Sequence, residues 1–313
     1  MAKPSFDPGL TQQYTGNLRR AINKDGSFNV ERRGTSWRNV HPYLYLINAS
    51  WPVFLGLMFV GYVVVNTIFA VLYFLLGPGA VLGASTRTGW TRFLDDFFFS
   101  AHTLTTVGYG TLAPTGVAGN SMAALEAMVG LMSFALATGL LFGRVSRPSA
   151  RIGFSENALI APYQEGRSLQ FRIVNLRSNV LIELQAIVLL MTVEGSPATR
   201  FFTNLPLERD SIYFFPLTWT VVHPIDQASP FYGKTPADLE RLQAEVLILI
   251  KGFDDTFSQT VNSRYSYRFD EVVWGARFLP AFRIDDAGSM VLELDQIGHH
   301  RRESEDLSEQ QHP

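Results

Sequence analysis

Five residues near the middle of the chain, Thr106, Val107, Gly108, Tyr109 and Gly110, join a hydroxyl to alternating glycines. That pattern can build an oxygen cage for a dehydrated cation. An extended strand supplies stacked oxygens when its successive carbonyls all point to one side. Such a strand holds alternate residues at positive φ, where glycine sits without strain and other residues rarely do. Gly108 and Gly110 take alternate places in this way. The carbonyls of Thr106, Val107, Gly108 and Tyr109 would then be the cation ligands, and the Thr106 hydroxyl adds one more. One strand gives about a quarter of each oxygen ring, so the reading demands four chains around an axis. A glycine-rich turn after a buried amphipathic helix uses the same residue types, so the flanks must decide.

Residues 95–106, DDFFFSAHTLTT, suit a short helix leading into the loop. Asp95 and Asp96 match the positive N-terminal end of such a helix, whose negative C-terminal end would face the cation. This helix is too short to cross a bilayer, but both neighbours are long enough. Residues 51–76 contain no Asp, Glu, Lys or Arg, and residues 112–142 contain only Glu126. At ~1.5 Å per residue, each run covers a hydrocarbon core of ~30 Å. Spans are expected over 48–76 and 119–147. Before them, residues 37–46 are aromatic and amphipathic and predict an interfacial helix over 36–47. A plain extension of the first span is the alternative, but Pro42 favours a break. Seven Lys or Arg precede the first span, Arg144, Arg147 and Arg151 follow the second, and the connecting loop holds Arg87 and Arg92. Positive-inside logic places both termini in the cytoplasm and the 106–110 loop near the outer face.

A net charge of −2 gives no field for nucleic acid, and the chain has no cysteine, hence no disulfide or thiolate metal site. The polar start predicts no cleavable signal peptide. Residues 1–35 read as a cytoplasmic segment, partly disordered, in which 27–32 alternates weakly and could pair as an edge strand. From 148 to 298 short β-branched or aromatic runs alternate with turn residues, at 169–175, 181–193, 212–222, 245–253, 264–273 and a hairpin over 281–294. They predict a β-sandwich. One helix is expected there, with Thr235 as N-cap, Pro236 at its first position and Asp238 closing a capping box. Residues 299–313 are charged and apolar-poor and read as a disordered tail.

The order of elements, span, short helix, Thr106–Gly110 loop and span, resembles a two-helix potassium-channel pore, and the loop is the sequence known from potassium filters. The rest of the chain narrows the resemblance. Ser50-Trp51-Pro52-Val53-Phe54, Phe154-Ser155-Glu156-Asn157-Ala158, Asn175-Leu176-Arg177, His223-Pro224-Ile225-Asp226 with Ser229-Pro230, and Asp270-Glu271-Val272-Val273-Trp274-Gly275 are similar to motifs of the inward-rectifier potassium channels, in that family's order. The prokaryotic (KirBac-type) branch is the most similar. The resemblance implies a homotetramer with a helical pore domain (36–147) and a cytoplasmic immunoglobulin-like β-sandwich. It implies potassium as the transported ion, no cofactor, and passive conduction at the plasma membrane.

It also implies residue roles. Phe142 matches the place where inner helices cross, so four phenylalanines would gate by excluding water; lipid-facing packing is the bland alternative. Gly130 and Gly139 serve as hinges or as close-packing positions. Glu126 either draws cations into the pore or braces the filter from behind, with His102 as one candidate partner. Strong rectifiers carry an acid where this chain has Phe134, which weakens the case for steep block. His102 replaces the family's pore-helix glutamate, and Thr111-Leu112 replaces its basic partner. Glu183 and Asp255 match positions lining the cytoplasmic pathway. Arg38, Arg144, Arg147 and Arg151 are candidates for binding anionic phospholipids. A soluble ligand gating the same pore is one rival. A membrane-anchored β-sandwich receptor or enzyme is another, with His223 and Asp226, or His299 and His300, as its only candidate chemistry; no established catalytic motif accompanies them.

Overall fold

The computed structural model describes residues 8–10, 20–31, 33–34, 41–84, 89–146, 150–195 and 198–302. It divides into two units: residues 33–147, and residues 148–313 together with 1–32.

The first unit is helical. Helix α1 (Pro42–Asn48) starts on Pro42, whose missing N–H costs nothing at a first turn. The part of the expected interfacial helix before His41 lies outside the described residues. Helix α2 (Trp51–Leu76) takes the charge-free run and stops at Gly77, with φ 99°. A two-residue strand β1 (Val81–Leu82) follows. Helix α3 (Trp90–Leu104) begins five residues before the expected start, so Asp95 and Asp96 sit in its second turn rather than at its N-terminus. Asp96 instead faces Arg92, one turn back, at 3.8 Å. Strand β2 (Ala113–Pro114) pairs with β1, and helix α4 (Gly116–Val145) runs unbroken for 30 residues. Both α2 and α4 are long and apolar enough to cross a membrane, and most of their surface is uncovered within the chain. Phe69, Tyr73, Val81 and Phe99 form the small core joining α2 to α3.

The second unit is a sandwich of two five-stranded sheets. One carries β3 (Ile152–Phe154), β4 (Ala158–Tyr163), β5 (Gly166–Asn175), β9 (Thr218–Ile225) and β12 (Val272–Trp274); the other carries β6 (Leu181–Glu194), β7 (Thr199–Asn204), β8 (Ser211–Phe214), β10 (Glu245–Asp254) and β11 (Gln259–Arg268). Alternate residues point inward, so Leu169, Phe171 and Ile173 of β5 meet Leu184, Ala186 and Val188 of β6 and Val246, Ile248 and Ile250 of β10 in one core. Helix α5 (Pro236–Arg241) has the expected capping box, with Thr235 and Asp238 bonded reciprocally. Four small strand pieces complete the unit: β13 (Ala276–Phe278) with β16 (His300–Arg302), and the hairpin of β14 (Phe282–Ile284) with β15 (Met290–Leu292).

Several expectations need correction. The run at 212–222 is two strands, β8 and β9, separated where Pro216 removes a ladder donor. The run at 264–273 is also two: a 3-10 turn at Phe269–Glu271 carries the chain from β11 to β12, which pairs in parallel with β4 in the opposite sheet. The tail does not begin at 299, because His300–Arg302 forms strand β16 against β13. Residues 20–24 pack onto the sandwich, whereas residues 27–31 are exposed and Phe28 makes an isolated bridge to Ile22 rather than an edge strand. Ile22 is buried against Met191, Phe202 and Leu247, and the Glu245 carboxylate accepts the N–H groups of Ala21 and Ile22. Arg20 and Lys24 pair with Glu271. Burial opposes ionisation of Glu271, but bonds from Arg20, the Arg268 N–H and Lys24 outweigh it and hold the carboxyl below its ordinary range.

Candidate cation filter and its supports

The loop after α3 has the predicted alternation, extended by one residue. Thr106, Gly108 and Gly110 have φ of 60°, 56° and 80°. Glycine adopts these angles freely, whereas for a β-branched threonine the conformation costs energy and persists only where its surroundings impose it. Nothing in the residue pattern marks strain at Thr106. The end of α3 imposes it. Thr105 closes the helix with its N–H on the Ala101 carbonyl, the Thr106 N–H turns back to Thr103 at 3.0 Å, and the His102 carbonyl accepts from Val107 (3.0 Å) and Gly108 (3.3 Å). With these N–H groups bonded back to the helix, the loop's own carbonyls are left to face elsewhere. The half-buried His102 ring stands edge-on to the Tyr109 ring, centroids 4.8 Å apart.

Behind α3 lies a buried polar cluster. Glu126 of α4 is fully buried; it accepts a hydrogen bond from the Tyr73 hydroxyl at 2.8 Å and bonds the Ser100 hydroxyl of α3. Ser100 also stands 3.0 Å from the Asn66 amide oxygen, while the Asn66 amide nitrogen donates to Tyr62 at 2.7 Å. Glu126 therefore ties α2, α3 and α4 together, through Ser100 and Tyr73 rather than through His102. Sequence separations of 26 and 53 residues put these partners beyond any local reading. Arg92 fixes the other end of α3 by donating to the Phe74 carbonyl at 2.9 Å while lying over the Phe74 ring.

Gly130 is a contact glycine. A Cβ there would lie 2.1 Å from the Leu104 carbonyl oxygen at the last residue of α3. Gly139 has nothing within 4 Å of that position. Phe134 and Phe142 are 74% and 71% exposed, eight residues apart on one side of α4. Phe134, Thr106, Leu104, Tyr62 and Met58 line a mostly apolar cavity of about 710 Å³, so the base of the loop and Phe134 share one space.

Arg144 does not present a free head to lipid. Its guanidinium donates to the carbonyls of Leu46 (2.9 Å), Ile47 (3.1 Å) and Ala49, and lies over the rings of Trp51 and Phe54. It caps the C-terminus of α1, where a cation is favoured. The adjacent Gly143 fits under Tyr43 and Ile47. This clamp is a site that the sequence reading missed. Arg38 and Arg147 lie outside the described residues, and Arg151 is exposed.

In the sandwich, Glu183 sits at a bulge in β6 where two residues oppose Gly252 alone, and it takes φ 52°. Such a bulge re-aims a side chain, and Glu183 is exposed. Exposed Asp255 follows the end of β10 that pairs with Leu181 and Ile182, which brings both acids to one end of the β6–β10 pair. His223 has both ring nitrogens engaged, with the Pro206 carbonyl (2.6 Å) and the Ser229 hydroxyl (2.8 Å). Burial lowers its pKa and keeps the imidazole neutral. His299 and His300 stand at the β16 edge strand, where His300 Nδ1 bonds the Gly298 carbonyl.

Comparison with known proteins matches residues 152–311 to the inward rectifier potassium channel C-terminal domain and residues 57–147 to an ion channel model. The chain is 38% identical over 281 residues to inward rectifier potassium channel Kirbac3.1 of Paramagnetospirillum magnetotacticum, covering 88% of this chain and 93% of that protein. It is 29% identical over 326 residues to G protein-activated inward rectifier potassium channel 3 of Mus musculus, covering 95% and 81%.

Proposed function

Because the chain belongs to the inward-rectifier potassium channel family and is a membrane-embedded potassium channel of that type, we propose that four copies conduct potassium passively through residues 106–110. The carbonyls of Thr106, Val107, Gly108 and Tyr109 from each copy replace the ion's hydration shell. The observation that carries this reading is the alternating positive φ at Thr106, Gly108 and Gly110 beyond the end of α3.

The rest of the mechanism follows from the elements around that loop. The C-terminal end of α3 contributes partial negative charge near the filter base. The Glu126 cluster and the Gly130–Leu104 contact hold α3 in place. Phe142, exposed near the cytoplasmic end of α4, closes the path by excluding water when four copies converge. Glu183 and Asp255 concentrate cations on the cytoplasmic approach. Phe134 offers no charge to a multivalent blocker inside the membrane, so block by polyamine or magnesium is shallow. Both termini lie in the cytoplasm and the membrane is the plasma membrane. Contact with anionic lipids falls to Arg38, Arg147 and Arg151, since Arg144 is committed to α1.

Purified protein in liposomes loaded with potassium should take up rubidium-86, with barium blocking the uptake and sodium failing to substitute. Gly108→Ala should abolish uptake while the protein still elutes as a tetramer. Uptake at the wild-type rate in that variant would remove the filter assignment.

A further inference from the structure

The family resemblance implies a glutamate on the pore helix that pairs with a basic residue just beyond the filter. This chain has no means of making that pair. Between Asp96 and Glu126 there is no Lys, Arg, Asp or Glu, and Thr111 and Leu112 follow the filter. The brace must come from something other than an ion pair.

We infer that His102 is a positioning residue that holds the filter by aromatic packing: its ring fixes Tyr109 edge-on while its carbonyl fixes the start of the same loop. The ring planes meet at 86° with centroids 4.8 Å apart. That is the favoured arrangement for aromatic pairs, a positive edge against a negative face. The His102 carbonyl accepts the N–H groups of Val107 and Gly108 at 3.0 and 3.3 Å. One residue therefore grips the loop at three successive positions, on the backbone at 107–108 and on the side chain at 109. His102 lies on α3, which Ser100 and Arg92 anchor to α2 and α4, so the ring is mounted on a fixed element. Tyr109 is otherwise largely uncovered within the chain, at 71% exposure. In this arrangement specificity rests on ring shape, and hydrogen bonding by the imidazole is dispensable.

The inference rests on the filter reading above, and the test separates the two. Single-channel recordings in planar bilayers would compare wild type with His102→Ala, His102→Gln and His102→Phe, each first checked for tetrameric elution. The Ala and Gln variants should shorten conducting bursts by about tenfold, the upper end of what one aromatic pair contributes, and raise sodium permeability relative to potassium. His102→Phe should restore both to wild-type values, because it keeps the ring and the backbone carbonyl. Wild-type bursts in His102→Gln with short bursts in His102→Phe would overturn the inference, since polar bonding would then be the brace. So would wild-type behaviour in all three variants. If wild type itself fails to distinguish potassium from sodium, the filter reading falls and this inference with it. Should His102→Ala not assemble, the Gln and Phe variants decide the question by themselves.

Discussion

Replacing Gly130 by alanine separates two roles that a glycine in a membrane helix can play. A hinge glycine tolerates a methyl group on steric grounds and loses flexibility; a contact glycine meets a wall. At Gly130 the new Cβ would stand 2.1 Å from the Leu104 oxygen and 3.0 Å from its carbonyl carbon. These are backbone atoms at the end of α3, so no side chain can swing aside. Real contacts of this kind do not fall below 3.0 Å, so α3 and α4 must part by about 0.9 Å. Overpacking on this scale costs ~1–3 kcal/mol, and the gain in helix propensity returns at most ~1 kcal/mol. The net expectation is destabilisation by about 1–2 kcal/mol per chain. The same change at Gly139, where nothing lies within 4 Å, should be neutral or stabilising by up to ~1 kcal/mol. Denaturant unfolding of both variants in detergent measures the stabilities, and rubidium uptake measures conduction. Gly130→Ala should also conduct poorly, because Leu104 precedes Thr105 and Thr106 directly. A stable, conducting Gly130→Ala beside a damaged Gly139→Ala would refute the packing account and make bending the relevant property.

Three further outcomes follow from the same geometry. Glu126→Ala strands the Tyr73 hydroxyl in a buried site, at ~1–3 kcal/mol for an unsatisfied group, while Ser100 keeps the Asn66 amide oxygen as its partner, so its unfolding midpoint should fall below that of Glu126→Gln, which can still bond both hydroxyls. Arg144→Ala removes the cap on α1 and should lower stability by ~1.5–3 kcal/mol, the range for a hydrogen bond to a charged group; Arg144→Lys should not rescue it, because a point charge cannot reproduce the planar fork, and the readout is proteolytic cleavage near residues 41–50. His223, its pKa lowered by burial from an ordinary value of 6.5, stays neutral in the fold while the unfolded chain takes up a proton. Stability of the sandwich should therefore fall as pH drops below about 6.5, and thermal unfolding from pH 8 to 5 should show His223→Gln lacking this decline.

What could be read from the sequence was local or repetitive. The charge-free run at 51–76 is helix α2, which starts three residues inside the expected span of 48–76, while α4 starts three residues before the expected 119; the Thr235–Asp238 capping box is complete, because its signal lies within a few positions. The start of α3 was misplaced because Asp95 and Asp96 look like N-terminal acids, whereas Asp96 answers Arg92 one turn earlier. Strands β8 and β9 merged in the pattern because their apolar alternation continues through Phe215 and Leu217 around Pro216. The same happened at Phe269–Glu271, where a short turn moves the chain from one sheet to the other without a break in hydropathy. The alternating glycines of the 106–110 loop were legible, but the strain at Thr106 was not, since threonine gives no sign of positive φ. The Glu126 cluster and the Arg144 clamp join residues 26 to 98 positions apart, and no periodicity reports such pairs.

The central claim is that residues 106–110 of four copies form a potassium-selective path. Its most direct test is the reversal potential of the purified protein in a planar bilayer with potassium on one side and sodium on the other. The account predicts a large displacement from zero, of the sign that draws potassium alone across. A reversal potential at zero, with current carried equally by both ions, would contradict it.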